Sequence, residues 1–128
     1  MKLLGIMAYW AEGSKTQDSL VKFTNSNPQF IKFVLKWFRS VCRVPENKLR
    51  LHLRLHQDIG KEKVENYWSK LTKIPKARFF KTTIKSSNSK GKRHNKLSNG
   101  IASIIVCDTK LFYKITGWID SIIDKMKL

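Results

Sequence analysis

The chain has 128 residues, of which 41% are hydrophobic and 11% aromatic. This composition fits one globular domain with its own core and excludes a chain that is disordered throughout. Lys and Arg number 26 against nine Asp and Glu, which gives a formal net charge of +17 at pH 7. A compact chain with this charge repels itself unless a polyanion or counterions screen it, so nucleic acid is the leading predicted partner.

The two cysteines, Cys42 and Cys107, have neither zinc-ligand spacing nor the pairing of a disulfide framework. We therefore expect a reducing, cytoplasmic compartment, whether near a nucleoid or inside an organelle. The apolar N-terminus lacks a signal-peptide cleavage site, and no apolar run is long enough to span a bilayer. No membrane partner is therefore predicted. No glycine-rich phosphate loop or zinc-protease motif occurs either, so no small-molecule cofactor is predicted.

The first predicted element is a helix over 3–11, which is apolar on all sides. Such a helix is expected to be buried between other elements or between subunits. Ala8 and Ala11 lie three positions apart, on neighbouring positions of one helical face. A second helix could approach closely there.

Glu12 ends this helix, at the negative end of the helix dipole, where a cation would be favoured. Gly13 follows as a helix stop. Two interpretations stay open: Glu12 is a surface carboxylate paired with Lys15, or it is a functional acid whose charge something positive offsets.

A strand is predicted next over 19–25, and Asn27-Pro28 then provides a helix cap followed by proline at the first helical position. The helix should run from Pro28 to about Cys42, with one broad apolar stripe facing the core.

The segment from Leu49 to His56 alternates without an error between leucine and a basic residue. A strand with this pattern has four leucines on its core face, and its other face carries Arg50, His52, Arg54 and His56. A row of only Arg and His favours a surface that faces an anion. The two histidines are too far apart along an extended chain to chelate one ion, so we expect phosphate or base contacts from them.

The remaining elements predicted in chain order are a helix over 61–72, a strand over 78–86, a flexible basic loop over about 86–100, a strand over 101–107 and a last helix capped by Asp108 or Thr109.

No acidic residue occurs between Asn66 and Cys107. The basic residues considered for DNA contact there are Lys81, Lys85, Lys90, Lys92, Arg93 and Lys96. Binding to a phosphate backbone needs such cations, although a solvated loop remains the alternative for 89–96.

The sequence from Leu4 to Gly13 resembles the helix that names the LAGLIDADG homing endonucleases, and Ala11-Glu12-Gly13 carries the match. Met7 stands where that family usually has a close-packing glycine. The later elements resemble the family as well: a strand, a capped helix, a polar-faced sheet and a terminal amphipathic helix. The resemblance covers most of the chain and rests on a few diagnostic residues.

The resemblance implies an α+β fold whose mixed or antiparallel sheet has helices on one face and an exposed basic face. It further implies a homodimer on double-stranded DNA, with Leu4, Ala8 and Ala11 at the interface and Glu12 of each subunit holding a divalent metal. Carboxylate oxygens suit Mg²⁺, and such a metal can activate water for phosphodiester hydrolysis.

Site-specific DNA cleavage is thus the function that the sequence favours. Lys81 and Lys85 are candidates to stabilise charge near the scissile phosphate, and Lys15, Arg50, His52, Arg54 and His56 are candidates for DNA contact. The alternatives are a DNA-binding regulator that uses this scaffold without cleavage and a basic RNA-binding protein.

Overall fold

The computed structural model describes residues 2–14, 20–86 and 99–126, with the backbone alone at 12–14. Within these ranges the helices are α1 (Lys2–Glu12), α2 (Pro28–Ser40), α3 (Lys61–Thr72) and α4 (Thr109–Met126). The strands are β1 (Gly13–Ser14), β2 (Val21–Asn25), β3 (Arg50–His56), β4 (Thr83–Lys85) and β5 (Ile101–Val106). The α+β class predicted from the sequence is confirmed.

The strands form one sheet in the order β1-β2-β5-β3-β4. Neighbouring strands run antiparallel except β3 and β4, which run parallel, so the sheet is mixed. The central strand, β5, has five buried residues out of six. Its nearly continuous apolar sequence suits this position, because a central strand has neighbours on both edges and is shielded by their side chains.

Phe23 on β2 lies at the centre of the core. Its ring makes edge-on contacts with Tyr9 of α1 and with Phe30, Trp37 and Phe38 of α2, at centroid separations of 5.3–6.4 Å. Edge-to-face packing of this kind adds to the free energy gained by burying the rings. The helices therefore pack on the side of the sheet to which Phe23 points.

The start of α2 is where the sequence predicts it. The side chain of Asn27 accepts a hydrogen bond from the backbone N–H of Gln29 at 2.9 Å, and Pro28 occupies the first turn, where no donor is needed. The helix ends at Ser40, slightly before the predicted Cys42.

The cap of α4 is Asp108, one of the two residues predicted for this role. Its Oδ1 accepts a hydrogen bond from the backbone N–H of Leu111 at 3.0 Å, and Oδ2 pairs with Lys48 at 3.2 Å. The backbone hydrogen bond and the lysine hold the pKa of the Asp108 carboxyl below its usual value.

Within one chain α1 is covered on one side only. Gly5, Ile6 and Tyr9 are buried, whereas Leu3 and Leu4 are 57% and 63% exposed. Burial around the whole helix is therefore not achieved by the elements of a single chain. The apolar side chains on the outer face of α1 are left to solvent or to another molecule.

The strand predicted over 78–86 is wrong in its length, since only Thr83–Lys85 pairs as a strand. Residues Lys76–Arg78 form a 3₁₀ turn instead. Thr82 is buried and donates a hydrogen bond to the carboxylate of Glu65 on α3 at 2.6 Å. The chain still contacts β3 through an isolated bridge between Phe79 and Leu51, so the ladder is interrupted between this bridge and β4, where Thr82 contacts α3.

Candidate nucleic-acid interface

β3 builds the centre of a cationic surface. Leu51, Leu53 and Leu55 are buried in the core, as the alternation predicts. The side chains between them point to the other face of the sheet, because successive residues of a strand alternate. The structure thus brings together four residues named from the sequence: Arg50, His52, Arg54 and His56.

Strand register extends this surface across the sheet. Four rows of side chains cross it: Lys22, Ile105 and Arg50; Thr24, Ser103 and His52; Ile101, Arg54 and Thr83; His56 and Lys85. We call these residues the cationic face. Its basic members lie on three different strands, and no acidic residue belongs to the four rows.

The second row is neutral and hydrogen-bonded. Thr24 and Ser103 share a hydrogen bond between their hydroxyls at 2.8 Å, and Nε2 of His52 lies 2.9 Å from the hydroxyl of Thr83. These groups offer both donors and acceptors. Neutral groups able to recognise a hydrogen-bonding pattern therefore lie between flanking cations.

The surroundings of His52 favour its neutral form. Partial burial, followed by the charges of Arg54 and Lys22, lowers the pKa of His52 from its ordinary value of 6.5. A neutral imidazole has one donor nitrogen and one acceptor nitrogen. In this form His52 can both donate and accept a hydrogen bond on the cationic face.

This shift predicts an acid-sensitive contribution to stability. The unfolded chain takes up a proton on His52 at a higher pH than the folded chain, so the contribution is complete above about pH 6.5 and is lost as the pH falls through the folded pKa. We expect the unfolding free energy, measured by urea titration between pH 7.5 and 5, to fall less for His52→Gln than for the wild type. Equal slopes for the two proteins would contradict this assignment.

Lys22 is a member of the cationic face that the sequence-based site prediction missed. It lies between the buried residues Val21 and Phe23, and β2 pairs it with Ile105 on the same face as Arg50. The signal was present in the alternation of β2. Without the strand order, however, nothing connected β2 to the face built by β3.

The described residues on either side of segment 87–98 lie at the end of the sheet where β3 finishes. Before it, the backbone N–H of Gln57 donates to the carbonyl of Lys85 at 2.9 Å. After it, the indole N–H of Trp68 donates to the carbonyl of Asn99 at 2.8 Å. Lys90, Lys92, Arg93 and Lys96, together with Lys15, lie outside the described residues.

The predicted catalytic lysines do not lie near Glu12 of the same chain. Glu12 directly precedes β1 at one edge of the sheet, and Lys85 is on β4 at the opposite edge. Four inter-strand spacings separate these edges, which is roughly 19 Å. Lys81 is exposed just before β4 and is equally remote in strand order. Lys22, paired with Ser14 on β1, lies nearer to Glu12 in strand order than Lys81 and Lys85 do.

Among the described side chains no group of three or more His, Cys, Asp and Glu is placed to hold a metal ion. Several carboxylates have other partners: Glu46 binds Arg39, Glu65 binds Thr82, and Asp108 caps α4. The side chain of Glu12 lies outside the described residues.

The residues predicted at a dimer interface differ in how far their side chains are exposed on α1. Leu4 and Ala11 are exposed, and Ala8 is half-buried. Leu3 and Met7 extend this apolar surface. The close-packing glycine of α1 is Gly5, which meets Trp37 inside the same chain and so takes no part in the outer face.

None of the helices in 2–14, 20–86 and 99–126 is both long and apolar enough to cross a membrane. In the comparisons with known proteins, no family model, curated protein or solved structure matches the chain. The features that bear on function are therefore the cationic face, α1 and the motif at Glu12.

Proposed function

We propose that this protein binds double-stranded DNA through the cationic face. The observation that carries the proposal is the arrangement of a neutral, hydrogen-bonded row between cations that lie on β2, β3 and β4. Cations that neutralise phosphates release condensed counterions and supply affinity, whereas neutral donors and acceptors read base edges.

The spacing along β3 suits duplex DNA. Arg50 and Arg54 are four residues apart on a strand, which is about 13 Å. The major groove of B-form DNA is about 12 Å wide and admits β-strands. The two arginines can thus approach phosphates on both sides of the groove while His52 lies between them, towards the base edges.

The same surface suits RNA less well. The major groove of A-form RNA is too deep and narrow for side chains to read, and single-stranded RNA is usually held by stacking its bases on aromatic rings. Among the described residues, the four rows of the cationic face contain no Phe, Tyr or Trp. The RNA-binding alternative therefore has less physical support.

The first test measures DNA affinity for a double variant, Arg50→Ala with Arg54→Ala. We expect the dissociation constant for a fluorescently labelled 30-base-pair duplex to rise roughly tenfold to a hundredfold. The slope of log affinity against log salt should fall by about two, since about one unit is lost for each phosphate contact. Fluorescence anisotropy at several salt concentrations measures both quantities.

The matched control is Lys32→Ala with Lys36→Ala, which removes the same charge from exposed positions of α2. Because α2 packs on the opposite side of the sheet from the cationic face, this variant should bind DNA within about twofold of the wild type. If both variants lose the same affinity, binding depends on net charge alone and the proposed interface is wrong.

The more specific form of the proposal is a LAGLIDADG-type endonuclease that acts as a homodimer. Its support is the motif ending in Glu12, the apolar outer face of α1, and the position of Glu12 beside the edge of the sheet. In this arrangement two copies of α1 would pack through Leu4, Ala8 and Ala11 and bring two Glu12 residues together. A bound Mg²⁺ would supply an activated water and charge stabilisation for phosphodiester hydrolysis.

Cleavage is tested with a randomised duplex library in Mg²⁺ or EDTA, followed by sequencing of the new ends. We expect the wild type to cut in Mg²⁺ only, and Glu12→Gln to bind the library but leave it intact. If the wild type binds without cutting, the non-catalytic DNA-binding alternative holds. Light scattering on Leu4→Lys provides an independent measurement, since a charge on the outer face of α1 should leave the protein monomeric.

A further inference from the structure

A groove of about 460 Å³ lies between α2 and α3, away from the cationic face. Its apolar lining consists of Phe33, Leu35 and Leu71. Leu35 is fully buried beneath the groove, while Phe33 and Leu71 are half-buried and present part of their surface to it. An apolar floor accessible to solvent is therefore part of this surface.

Lysines surround this floor. Lys32 and Lys36 are exposed one turn apart on α2, and Lys73 follows the end of α3. Lys73 has a left-handed backbone, with φ of 62°, and its N–H donates to the carbonyl of Ser69. Within the described parts of the chain none of the three lysines forms an ion pair. Lysines at i and i+4 on a helix repel each other slightly, so an anionic partner here would relieve an existing cost.

Arg39 lines the groove, and hydrogen bonds hold its side chain in place. Its guanidinium donates two hydrogen bonds to the carboxylate of Glu46, at 2.9 and 2.8 Å, and a third to the carbonyl of Thr72 at 2.9 Å. The bond to Thr72 joins α2 to the end of α3, and the bonds to Glu46 hold the pKa of its carboxyl below its usual value. Since Arg39 is occupied, the three lysines are the groups that remain for a ligand.

The groove and the cationic face are separated by the core. The buried side of α2, which includes Ile31, Val34 and Phe38, packs towards Phe23 on the sheet. Lys32 and Lys36 lie on the other side of this helix, so they point away from the sheet. Duplex DNA held on the cationic face would not reach them.

We propose that this groove binds an acidic, amphipathic segment of a partner protein. Such a segment can place apolar side chains on Phe33 and Leu71 while its Asp and Glu side chains meet Lys32, Lys36 and Lys73. A nucleic-acid backbone would satisfy the lysines but has no comparable apolar group for the floor. The combination of an apolar floor with unpaired lysines thus selects an acidic peptide.

The experiment uses the full chain labelled with ¹⁵N and a synthetic 16-residue peptide with leucine at helical i, i+3, i+4 and i+7 positions and glutamate elsewhere. We expect amide shifts concentrated at Phe33, Leu71 and Lys73. The affinity should fall at least tenfold for Lys32→Ala with Lys36→Ala. A peptide in which glutamine replaces every glutamate should bind more weakly by a similar factor.

The sheet variant Arg50→Ala with Arg54→Ala is the matched control, and it should bind the acidic peptide as the wild type does. Equal losses in the two variants, or shifts located on the cationic face, would overturn the proposal. It would also be overturned if duplex DNA shifted the groove amides and the groove variant lost DNA affinity. Because peptide and DNA binding are measured on the same two variants, failure of this inference is distinguishable from failure of the proposed function.

Discussion

Replacing Phe23 with alanine is expected to lower the free energy of unfolding by about 3–5 kcal/mol, the usual cost of truncating a buried aromatic ring. Phe23 is fully buried and its ring meets four other aromatic rings from α1 and α2. Alanine would remove these contacts and leave a cavity that the surrounding rings fill only in part. Since a domain is typically stable by roughly 5–15 kcal/mol, this loss is a large fraction of the total. Urea denaturation followed by circular dichroism measures the change.

Phe80 provides the matched control because it is the same residue type at a position that is 43% exposed. Phe80→Ala should cost less than about 1 kcal/mol, in line with other exposed substitutions. Phe23→Leu keeps part of the buried volume and should give an intermediate value. A loss from Phe80→Ala as large as that from Phe23→Ala would show that the core is not centred where the aromatic contacts place it.

Replacing Gly5 with alanine is expected to destabilise the protein by about 3 kcal/mol, although alanine is the better helix former. A Cβ atom at Gly5 would overlap the indole ring of Trp37. Trp37 is itself fully buried and contacts Phe23, Phe38 and Trp118. The ring therefore has no free space into which it can move, and α1 would have to shift away from α2. Thermal or urea denaturation measures this loss.

Gly117 in α4 is the control for this substitution, since a Cβ there would meet nothing within 4 Å. Gly117→Ala should stabilise the protein by about 0.5–1 kcal/mol through helix propensity. The cost of Gly5→Ala should also shrink when Trp37 is replaced by leucine, so that in a double-mutant cycle the two substitutions together cost less than the sum of their separate costs. If the two alanine substitutions have the same sign, the close contact between Gly5 and Trp37 is not the cause.

The regular elements could be predicted because each is specified by its own residues. Asn27 and Pro28 mark the start of α2, and the strict alternation from Leu49 to His56 identifies β3 and both of its faces. These signals need no knowledge of distant contacts. The elements they define therefore agree with the structure to within a few residues.

The parts that depend on distant contacts could not be predicted in the same way. The alternation in 78–86 suggested a long strand, but the hydrogen bond from Thr82 to Glu65 on α3 takes part of it out of the sheet. Strand order likewise determines that Lys85 is remote from Glu12 and that Lys22 lies in the same row of the cationic face as Arg50. Sequence spacing contains no information on this order.

The packing of Gly5 in α1 also depends on a distant contact that the sequence does not reveal. The sequence indicates that α1 is apolar all round, and it offers Ala8 and Ala11 as places where another helix might approach. Which face is used inside the chain is decided by Trp37, more than thirty residues away, whose ring requires glycine at position 5. The outer face of α1 follows from that contact.

The error-free alternation of β3 makes the length of this strand more important than its individual residues. Deleting or inserting one residue within it would exchange the two faces beyond that point, so that arginine or histidine entered the core and leucine reached the surface. A single surface substitution changes one contact, whereas a change of length would damage both the core and the cationic face at once. Natural variation in β3 should therefore consist of substitutions, with insertions and deletions restricted to the turns on either side.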